Sequence, residues 1–445
     1  MRGVLPMTRR ELLRAGSAGL GSGLLLACGK RGAPDAPTPV PEEVTVTVAV
    51  RAGDRVNAVL DKALPTVRYG LAPGGRDGIP TIREVHRIVA TPGRSFVTAI
   101  RQRVAAGEAP DVVWFSLQDD LPEILRGDLL RPLNPFLDND TNNTLKGYHP
   151  ESLRALEFWG QQMALPAALG ILSVRYDTEV LTAREMPSPL SSWTWDEFAT
   201  MAAALTHTAD TGTVWGFGTT TVPAWLPLIV GAGGRVADLG AGSTTLDQSE
   251  ARRGLQFWIE LAHRYRALEG GPHVTMDAVM RRRNGSSTAP LRLELINWHN
   301  TEPYSLPFAF VGTPNGPSQS VPMLVTDMVG VSAHSANLDA AYAVAKPLAA
   351  QLGSQLLVPP RNNAIEFIRR PNRMHADLAL GLDRADVVLR SLSYSVGTTL
   401  SLYSGLGKTL TERMALPALR GSLAAPAALE NGAAVVREWL GSPPR

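Results

Sequence analysis

The sequence contains almost no cysteine, since Cys28 is the only one in 445 residues. A single cysteine cannot form an intrachain disulfide, and it cannot build a zinc site of the cysteine type. The eight histidines are scattered and form no HxH or HxxxH pair, which argues against histidine-based metal binding. Metal sites built from carboxylates are not excluded by these counts, but we expect no cofactor.

The sequence also has little net charge and contains no recognisable catalytic motif. The formal charge of +2 is too nearly balanced for a broad nucleic-acid surface. There is no nucleophile elbow, HExxH, EF-hand loop or dinucleotide fingerprint. Gly405–Thr409 resembles half of a phosphate loop, but Leu402 stands where that motif needs its first glycine. We interpret this segment as a turn between helices, and we predict that the protein is not an enzyme.

The N-terminal segment resembles an export signal. Arg9 and Arg10 precede a short apolar run, Ala15–Ala27, which is too short and too rich in glycine to span a bilayer. The arginine pair is similar to a twin-arginine signal, and the ending is similar to a lipobox, in which cleavage leaves a lipidated Cys28. An ordinary secretory signal and a buried N-terminal helix are the alternatives.

Residues 28–43 are rich in proline and poor in apolar residues. Such a composition favours an extended, solvated chain that cannot form a core. We therefore predict an export signal at 1–27 and a tether at 28–43. Together they place the folded protein outside the cytoplasm, anchored to the cell membrane through Cys28.

The first part of the folded chain alternates strands and helices, which is typical of an α/β fold. The predicted strands are Val44–Val50, Ile82–Val89 and Val112–Phe115. Ser95 and Asp120 are placed to cap the helices that follow the second and third strands. Arg51 and Asp54 lie just after the first strand, at the end where ligands usually meet an open α/β sheet.

Three later segments carry further structural predictions. The apolar run at Met163–Tyr176 contains Pro166, which suits an edge strand or a crossover between lobes. Thr194 and Glu197 form a capping box at the start of a helix. Leu338–Leu348 is a helix that we expect to stop or kink near Pro347.

Aromatic residues near loops are candidates for ligand contact. Their rings stack on the C–H faces of sugars, while carboxylates, amides and arginine bind the hydroxyls. A core position is an equally good interpretation of each of them: Trp114, Trp225, Trp298, Tyr304 and Tyr394. Asp119 and Asp120 are either an acidic pair for a ligand or cation, or a helix cap.

Five blocks of sequence together resemble the extracellular solute-binding proteins of the maltose-binding family. Their order and spacing match that family over roughly residues 44–350. The blocks are Ala105–Val113, Leu129–Leu133, Met163–Pro166, Trp193–Thr206 and Gly254–Trp258. The tail at 401–445, which we predict to be helical, resembles nothing in that family.

The resemblance implies an α/β, two-lobed periplasmic-binding-protein-like fold of type II with hinge crossovers. By position, the crossovers fall near Ala167–Gly170, Asn297–Asn300 and Met328–Gly330. The first lobe would contain 44–167 and 300–328, and the second 169–297 and 331–400. The implied partners are a carbohydrate solute and the membrane subunits of an ABC permease, and we expect a monomer without nucleic acid.

The resemblance also implies where the solute binds. The family's contacts after the first and third strands fall on Arg51, Asp54, Phe115, Gln118 and Asp119. Its aromatic contacts fall on Trp298 at the second crossover and on Trp225 in the second lobe, to which we add the loop residues Tyr304 and Tyr394. The sequence departs from the family pattern at two places. Gly170 stands where the family usually has an acidic residue, and the segment Met276–Thr288 lacks the family's usual Phe-x-x-Gly-x-x-Ala-Met block.

Two other functions are consistent with the sequence. One is a sensor or scaffold lipoprotein that kept the fold but binds a non-sugar ligand or a receptor. The other, which has less support, is a hydrolase, which requires paired carboxylates or a nucleophile in the cleft.

Overall fold

A computed structural model describes most of the chain after the predicted tether. The described residues are 45–71, 81–88, 95–116, 119–140, 144–210, 212–219, 222–276, 287–296, 307–318, 321–355, 358, 360–361, 382–400 and 404–441. Within these ranges, every helix is too short or too polar to cross a membrane.

The described elements confirm a mixed α/β chain. The strands are β1 Thr45–Arg51, β2 Thr81–Ile88, β3 Val112–Ser116, β4 Glu157–Phe158, β5 Gln161–Gln162, β6 Leu165–Asp177, β7 His207–Ala209, β8 Gly212–Val214, β9 Phe217–Thr219, β10 Leu291–Ile296, β11 Phe308–Gly312, β12 Val321–Val331 and β13 Ser395–Thr398. The helices are α1 Asp54–Leu71, α2 Phe96–Ala105, α3 Leu121–Arg126, α4 Asn134–Leu137, α5 Pro150–Arg154, α6 Thr178–Ala183, α7 Trp195–Leu205, α8 Trp225–Gly231, α9 Ser249–His263, α10 Leu338–Gln355, α11 Leu382–Leu392, α12 Gly405–Leu410, α13 Leu416–Leu419 and α14 Ala425–Leu440.

Nine of the described strands form one sheet, whose main path runs β2-β1-β3-β12-β6-β10-β9. Two further strands extend it, with β11 on β6 and β13 on β12. The strands β1, β2 and β3 are parallel to one another, whereas β12 is antiparallel to both β3 and β6. We call the part around β1–β3 the first lobe, and the part around β9, β10, β11 and β13 the second.

Two long antiparallel strands cross between the lobes. The first half of β6 pairs with β12, and its second half pairs with β10 on one side and β11 on the other. Strand β12 pairs with β3 at one end and with β13 at the other. The interpretation of Met163–Tyr176 as an edge strand is therefore wrong, because β6 has hydrogen-bonded neighbours on both sides, and the crossover interpretation fits.

Strand alternation gives the first-lobe sheet two buried faces. In β1, Val48 and Val50 lie in one core together with α1 and α10, whereas Ala49 lies in the opposite core with α2 and α3. Strand β3 divides in the same way, with Trp114 on the first face and Phe115 on the second. Helices on both faces of a parallel sheet are the expected layer arrangement.

This packing differs from two predicted lobe boundaries. Helix α10 packs on α1 and β1 of the first lobe, although 331–400 was assigned to the second. Strand β11 pairs with the far half of β6, on the side opposite β10, although the predicted first lobe contains 300–328. The crossing strand β12 lies between these two segments in the chain, and the direction in which such a strand crosses cannot be determined from its own composition.

The capping signals at Ser95 and Thr194 are confirmed, whereas the predicted stop at Pro347 and the predicted turn at Gly405–Thr409 are wrong. Ser95 accepts a hydrogen bond from the backbone N–H of Thr98 at 3.1 Å, and Thr194 forms both halves of its capping box. Helix α10 continues through Pro347 to Gln355, since its last turns are buried against the first lobe. The predicted turn at Gly405–Thr409 is instead the start of helix α12, capped by Ser404.

Candidate functional site

Arg51 and Asp119 meet at the carboxyl edge of the first-lobe sheet. Strands β1 and β3 are parallel neighbours, so both carboxyl ends reach the same edge. Arg51 is the last residue of β1, and its guanidinium donates to one oxygen of the Asp119 carboxylate. The other oxygen accepts the backbone N–H of Ser116, the last residue of β3, at 2.9 Å. We call this arrangement the strand-end site.

The Asp119 carboxyl is deeply buried, whereas the Arg51 side chain is 19% exposed. Burial raises the pKa of Asp119 above its ordinary value of 3.8, against the opposing effects of the Arg51 charge and the Ser116 N–H. The carboxylate of Asp327 raises it further. Of the pair, therefore, only Arg51 presents atoms to solvent, and Asp119 holds it in place.

Two aromatic rings support Arg51 from behind. Its guanidinium carbon lies 5.5 Å from the centroid of the Phe96 ring, within the range of a cation–π contact. Phe96 packs edge-on against Phe115, with ring centroids 5.6 Å apart. Phe115 itself is fully buried, so it reaches the site through Phe96 and offers no ring face to a ligand.

The strand-end site lies where the two lobes face each other. Strands β3 and β13 lie on the same side of β12, and their carboxyl ends point toward each other. Ser116 pairs with Asp327 and Thr398 pairs with Leu324, so about 10 Å of β12 separates the two ends. Next to β13, Thr399 has a buried hydroxyl with no partner among the described residues. A cavity of about 30 Å³ beside it has room for one water molecule.

Sequence reasoning missed Asp327 and Thr399. Asp327 is fully buried in β12, and an acidic residue inside an otherwise apolar strand was a signal that could have drawn attention to it. Thr399 carried no comparable signal, because its position depends on the pairing of β13 with β12.

Within the described residues, no group of three or more His, Cys, Asp or Glu side chains is placed to hold a metal ion.

Trp225 is part of the hydrophobic core. It begins α8, is 1% exposed, and donates its indole N–H to the hydroxyl of Thr411 at 3.1 Å. Of the two interpretations of Trp225, a ligand contact or a core position, the core position is correct, because its ring has no free face on which a sugar could stack. The C-terminal part of the chain supplies Thr411 to this ring, and its last two helices, α13 and α14, pack on the neighbouring α9.

Tyr394 lies apart from the strand-end site. Together with Tyr176 and Phe310 it lines a pocket of about 270 Å³ between β11 and α11. None of the residues of the strand-end site lines this pocket. Trp114, another candidate aromatic, lies within β3 and is buried against α1 and α10.

Asp54 is close in sequence to Arg51 but differs from it in exposure. It is the first residue of α1, and it is exposed.

Three predicted contacts, Gln118, Trp298 and Tyr304, lie outside the described residues, as does the predicted crossover at Asn297–Asn300. The same holds for Arg9, Arg10 and Cys28 of the predicted signal and anchor.

A family model supports the predicted resemblance. Residues 87–277 match the model described as bacterial extracellular solute-binding protein. The match begins within β2 and ends after α9, so it includes β3, the whole of β6 and the capping box of α7. No curated protein matches the chain in sequence.

Solved structures share the fold at low sequence identity. An ABC substrate-binding protein from Listeria monocytogenes, in complex with cycloalternan, has a TM-score of 0.64 at 16% identity, covering 90% of this chain and 99% of that one. A cyclic α-maltosyl-1,6-maltose binding protein from Arthrobacter globiformis has a TM-score of 0.64 at 14% identity, covering 89% and 99%. The maltose-binding periplasmic protein from Listeria monocytogenes, in complex with maltose, has a TM-score of 0.62 at 14% identity, covering 89% and 98%.

These likenesses extend over nearly the whole length of each solved chain, and the crossing strands β6 and β12 join two α/β lobes as the predicted fold requires. The chain thus has the two-lobed, periplasmic-binding-protein-like fold, and its resemblance to the extracellular solute-binding proteins of the maltose-binding type is confirmed.

Proposed function

We propose that the protein is the extracytoplasmic, lipid-anchored solute-binding component of an ABC importer, and that it binds a sugar or oligosaccharide between its lobes. The observation that carries this proposal is the strand-end site, in which a buried carboxylate holds a partly exposed arginine at the edge facing the second lobe. The sugar complexes among the structural relatives support the class of ligand.

Arg51 is the central contact in this proposal. Its free N–H groups donate to solute hydroxyls while Asp119 fixes the guanidinium plane. Asp54, exposed at the start of α1, accepts from neighbouring hydroxyls. Gln118, Trp298 and Tyr304 remain proposed contacts, and the lobes close on the solute by bending where β6 and β12 cross.

A thermal-shift screen against soluble saccharides tests the ligand class. A saccharide present at 100 times its Kd stabilises the folded state by about 2.7 kcal/mol, which a melting experiment detects. We expect Arg51→Ala to remove this stabilisation, because it deletes the positioned donor, and Arg252→Ala on the exposed face of α9 to retain it. A shift produced by a phosphate ester or peptide, with none from any saccharide, would overturn the sugar assignment.

The anchor requires a separate experiment. In the organism that makes the protein, we expect Cys28→Ala to move it from the membrane fraction to the soluble fraction and to abolish its labelling by a fatty-acid analogue. Arg9→Lys together with Arg10→Lys tests the export route, since a twin-arginine signal depends on that pair. An unchanged membrane fraction for the Cys28 variant contradicts lipid anchoring.

One observation favours a second function, a sensor or scaffold that binds a non-sugar ligand or a receptor. Trp225, which was expected to stack on a sugar from the second lobe, is instead in the core. A cleft with fewer exposed rings suits a more polar ligand. Binding of a purified permease complex by the ligand-loaded protein distinguishes the two, since a sensor has no affinity for it.

A further inference from the structure

A pocket of about 270 Å³ opens on the second lobe, and we call it the β11–α11 pocket. Its floor comes from β6 and β11, one wall comes from α11, and the loop before α7 completes the rim. Tyr176, in its floor, lies eight residues along β6 from Ala168, which pairs with Asp327 beside the strand-end site, and eight residues of extended strand span roughly 26 Å. The pocket is therefore distinct from the strand-end site.

The floor of the pocket is held by backbone pairing and by a buried hydrogen bond. Strands β11 and β6 are antiparallel, with Ala309 opposite Tyr176. The indole N–H of Trp193 donates to the carbonyl oxygen of Gly312 at 2.8 Å, which fixes the end of β11. A Cβ at Gly312 would lie 3.7 Å from the Tyr394 hydroxyl, so that hydroxyl lies close over the bare backbone.

Phe310 and Tyr394 supply aromatic side chains to the pocket, and Tyr176 of β6 also lines it. The guanidinium carbon of Arg384 lies 4.7 Å from the centroid of the Phe310 ring, a cation–π contact that restricts the ring's orientation. Ser391, also in the wall, has a buried hydroxyl for which the described residues supply no partner.

Charged groups of both signs complete the lining. Asp386 and Arg390 lie four residues apart on α11, so they project from the same side of that helix. Arg390 donates from Nη1 to the Ser191 hydroxyl at 2.8 Å, which ties α11 to the rim loop. The pocket thus combines aromatic faces with a carboxylate acceptor and a guanidinium donor.

We propose that the β11–α11 pocket is a second binding site, separate from the proposed interlobe site, for a single sugar ring or a cyclic polyol of similar size. Aromatic faces suit the C–H faces of such a ring, and the carboxylate and guanidinium suit its hydroxyls. Pockets for larger ligands measure about 300–1,000 Å³, so 270 Å³ fits one ring and not an oligosaccharide. Because its lining belongs to the second lobe, binding there does not require the lobes to close.

Saturation-transfer NMR on the full chain tests this site. The probes are glucose, galactose, mannose, xylose and myo-inositol, each at millimolar concentration. We expect transfer to at least one probe, and we expect Tyr394→Ala to weaken its binding about fivefold through loss of a stacking face. Tyr265→Ala removes a comparably half-buried tyrosine that does not line the pocket, and we expect it to bind as the unmodified chain does.

The same measurement separates this site from the interlobe site. Arg51→Ala is expected to leave the second-site binding intact, and Arg390→Ala, which alters an exposed side chain and so avoids unfolding, is expected to weaken it. The proposal is overturned if no probe receives saturation. It is also overturned if Arg51→Ala abolishes all probe binding while the Tyr394 and Arg390 variants bind like the unmodified chain.

Discussion

Asp119 is the residue whose protonation we expect to control Arg51. Burial raises the pKa of its carboxyl above 3.8, so the folded protein takes up this proton at a higher pH than the unfolded chain does. The stabilising contribution of the group is therefore complete below 3.8 and is lost as pH rises through the folded-state pKa. Solute binding has the opposite dependence, because protonation removes the charge that holds Arg51. We expect affinity to fall as pH decreases, beginning above 3.8.

Calorimetric titration between pH 7 and pH 4, with a saccharide found by the thermal-shift screen, measures this effect. Asp119→Asn should bind about tenfold more weakly at pH 7, equivalent to about 1.4 kcal/mol, and its affinity should not change with pH in this range. Asp247→Asn is the matched control, because Asp247 also pairs with an arginine, Arg437, but on an exposed surface. Parallel pH profiles for Asp119→Asn and the unmodified chain contradict a positioning role.

Residue roles could be predicted from the sequence only where they depend on neighbours in the chain. Asp120 was expected to cap α3, and its carboxylate does accept the Glu123 N–H. The pairing of Arg51 with Asp119 joins residues 68 positions apart, so their position near a cleft could be inferred from strand order but their contact could not. The burial of Trp225 depends on Thr411, which is 186 positions away.

At the scale of elements, Asp120 serves two helices. Its carboxylate accepts the N–H of Glu123 in α3 at 3.4 Å and the N–H of Gly405, the first residue of α12, at 2.7 Å. Loss of one N-cap typically costs about 1 kcal/mol. We expect Asp120→Ala to lower the free energy of unfolding by about 2 kcal/mol, measured by urea denaturation, because two N-termini lose an acceptor.

Thr194→Ala is the single-cap comparison for this experiment. It removes the capping box of α7 alone, and we expect a loss of about 1 kcal/mol. Thr182→Ala changes an exposed threonine within α6 that caps nothing, so it should leave stability nearly unchanged. Equal losses for the Asp120 and Thr194 variants would show that the contact with α12 contributes little.

Gly254 allows α8 and α9 to pack closely. A Cβ at this position would lie 2.4 Å from the carbonyl oxygen of Leu228 and 2.4 Å from the Cα of Ile229, and backbone atoms cannot move aside. Alanine is favoured over glycine in a helix by about 1 kcal/mol, but overpacking costs about 1–3 kcal/mol. At so short a distance the second effect dominates, and we expect Gly254→Ala to destabilise the protein by about 1–2 kcal/mol in urea denaturation.

Gly432 in α14 provides the matched substitution. A Cβ there would meet the sulfur of Met414 at 2.5 Å, but that side chain is flexible and can change rotamer. We therefore expect Gly432→Ala to cost clearly less than Gly254→Ala. The reverse order would mean that helix propensity, and not close helix packing, controls these positions.

Elements were predictable where their signals are local. Caps and strand alternation located β1, β3, α2, α3 and α7, because each depends on a few adjacent residues. The run Trp225–Val230 gave no such signal and forms α8, which is buried throughout. A fully buried element has no polar face, so periodicity cannot distinguish a helix from a strand there.

For the whole molecule, closure of the lobes is the property that the proposed function requires. Strands β6 and β12 are continuous across the junction, so the lobes remain joined while they rotate. The order of the sequence blocks predicted this two-lobed arrangement, but not the lobe that α10 joins, since that depends on packing against α1.

We expect a saccharide that stabilises the protein in the thermal-shift screen to reduce its radius of gyration as well, measured by small-angle X-ray scattering at 100 times Kd. A saccharide that gives no thermal shift serves as the control, and stabilisation without any decrease in the radius would show that the solute binds without closing the lobes.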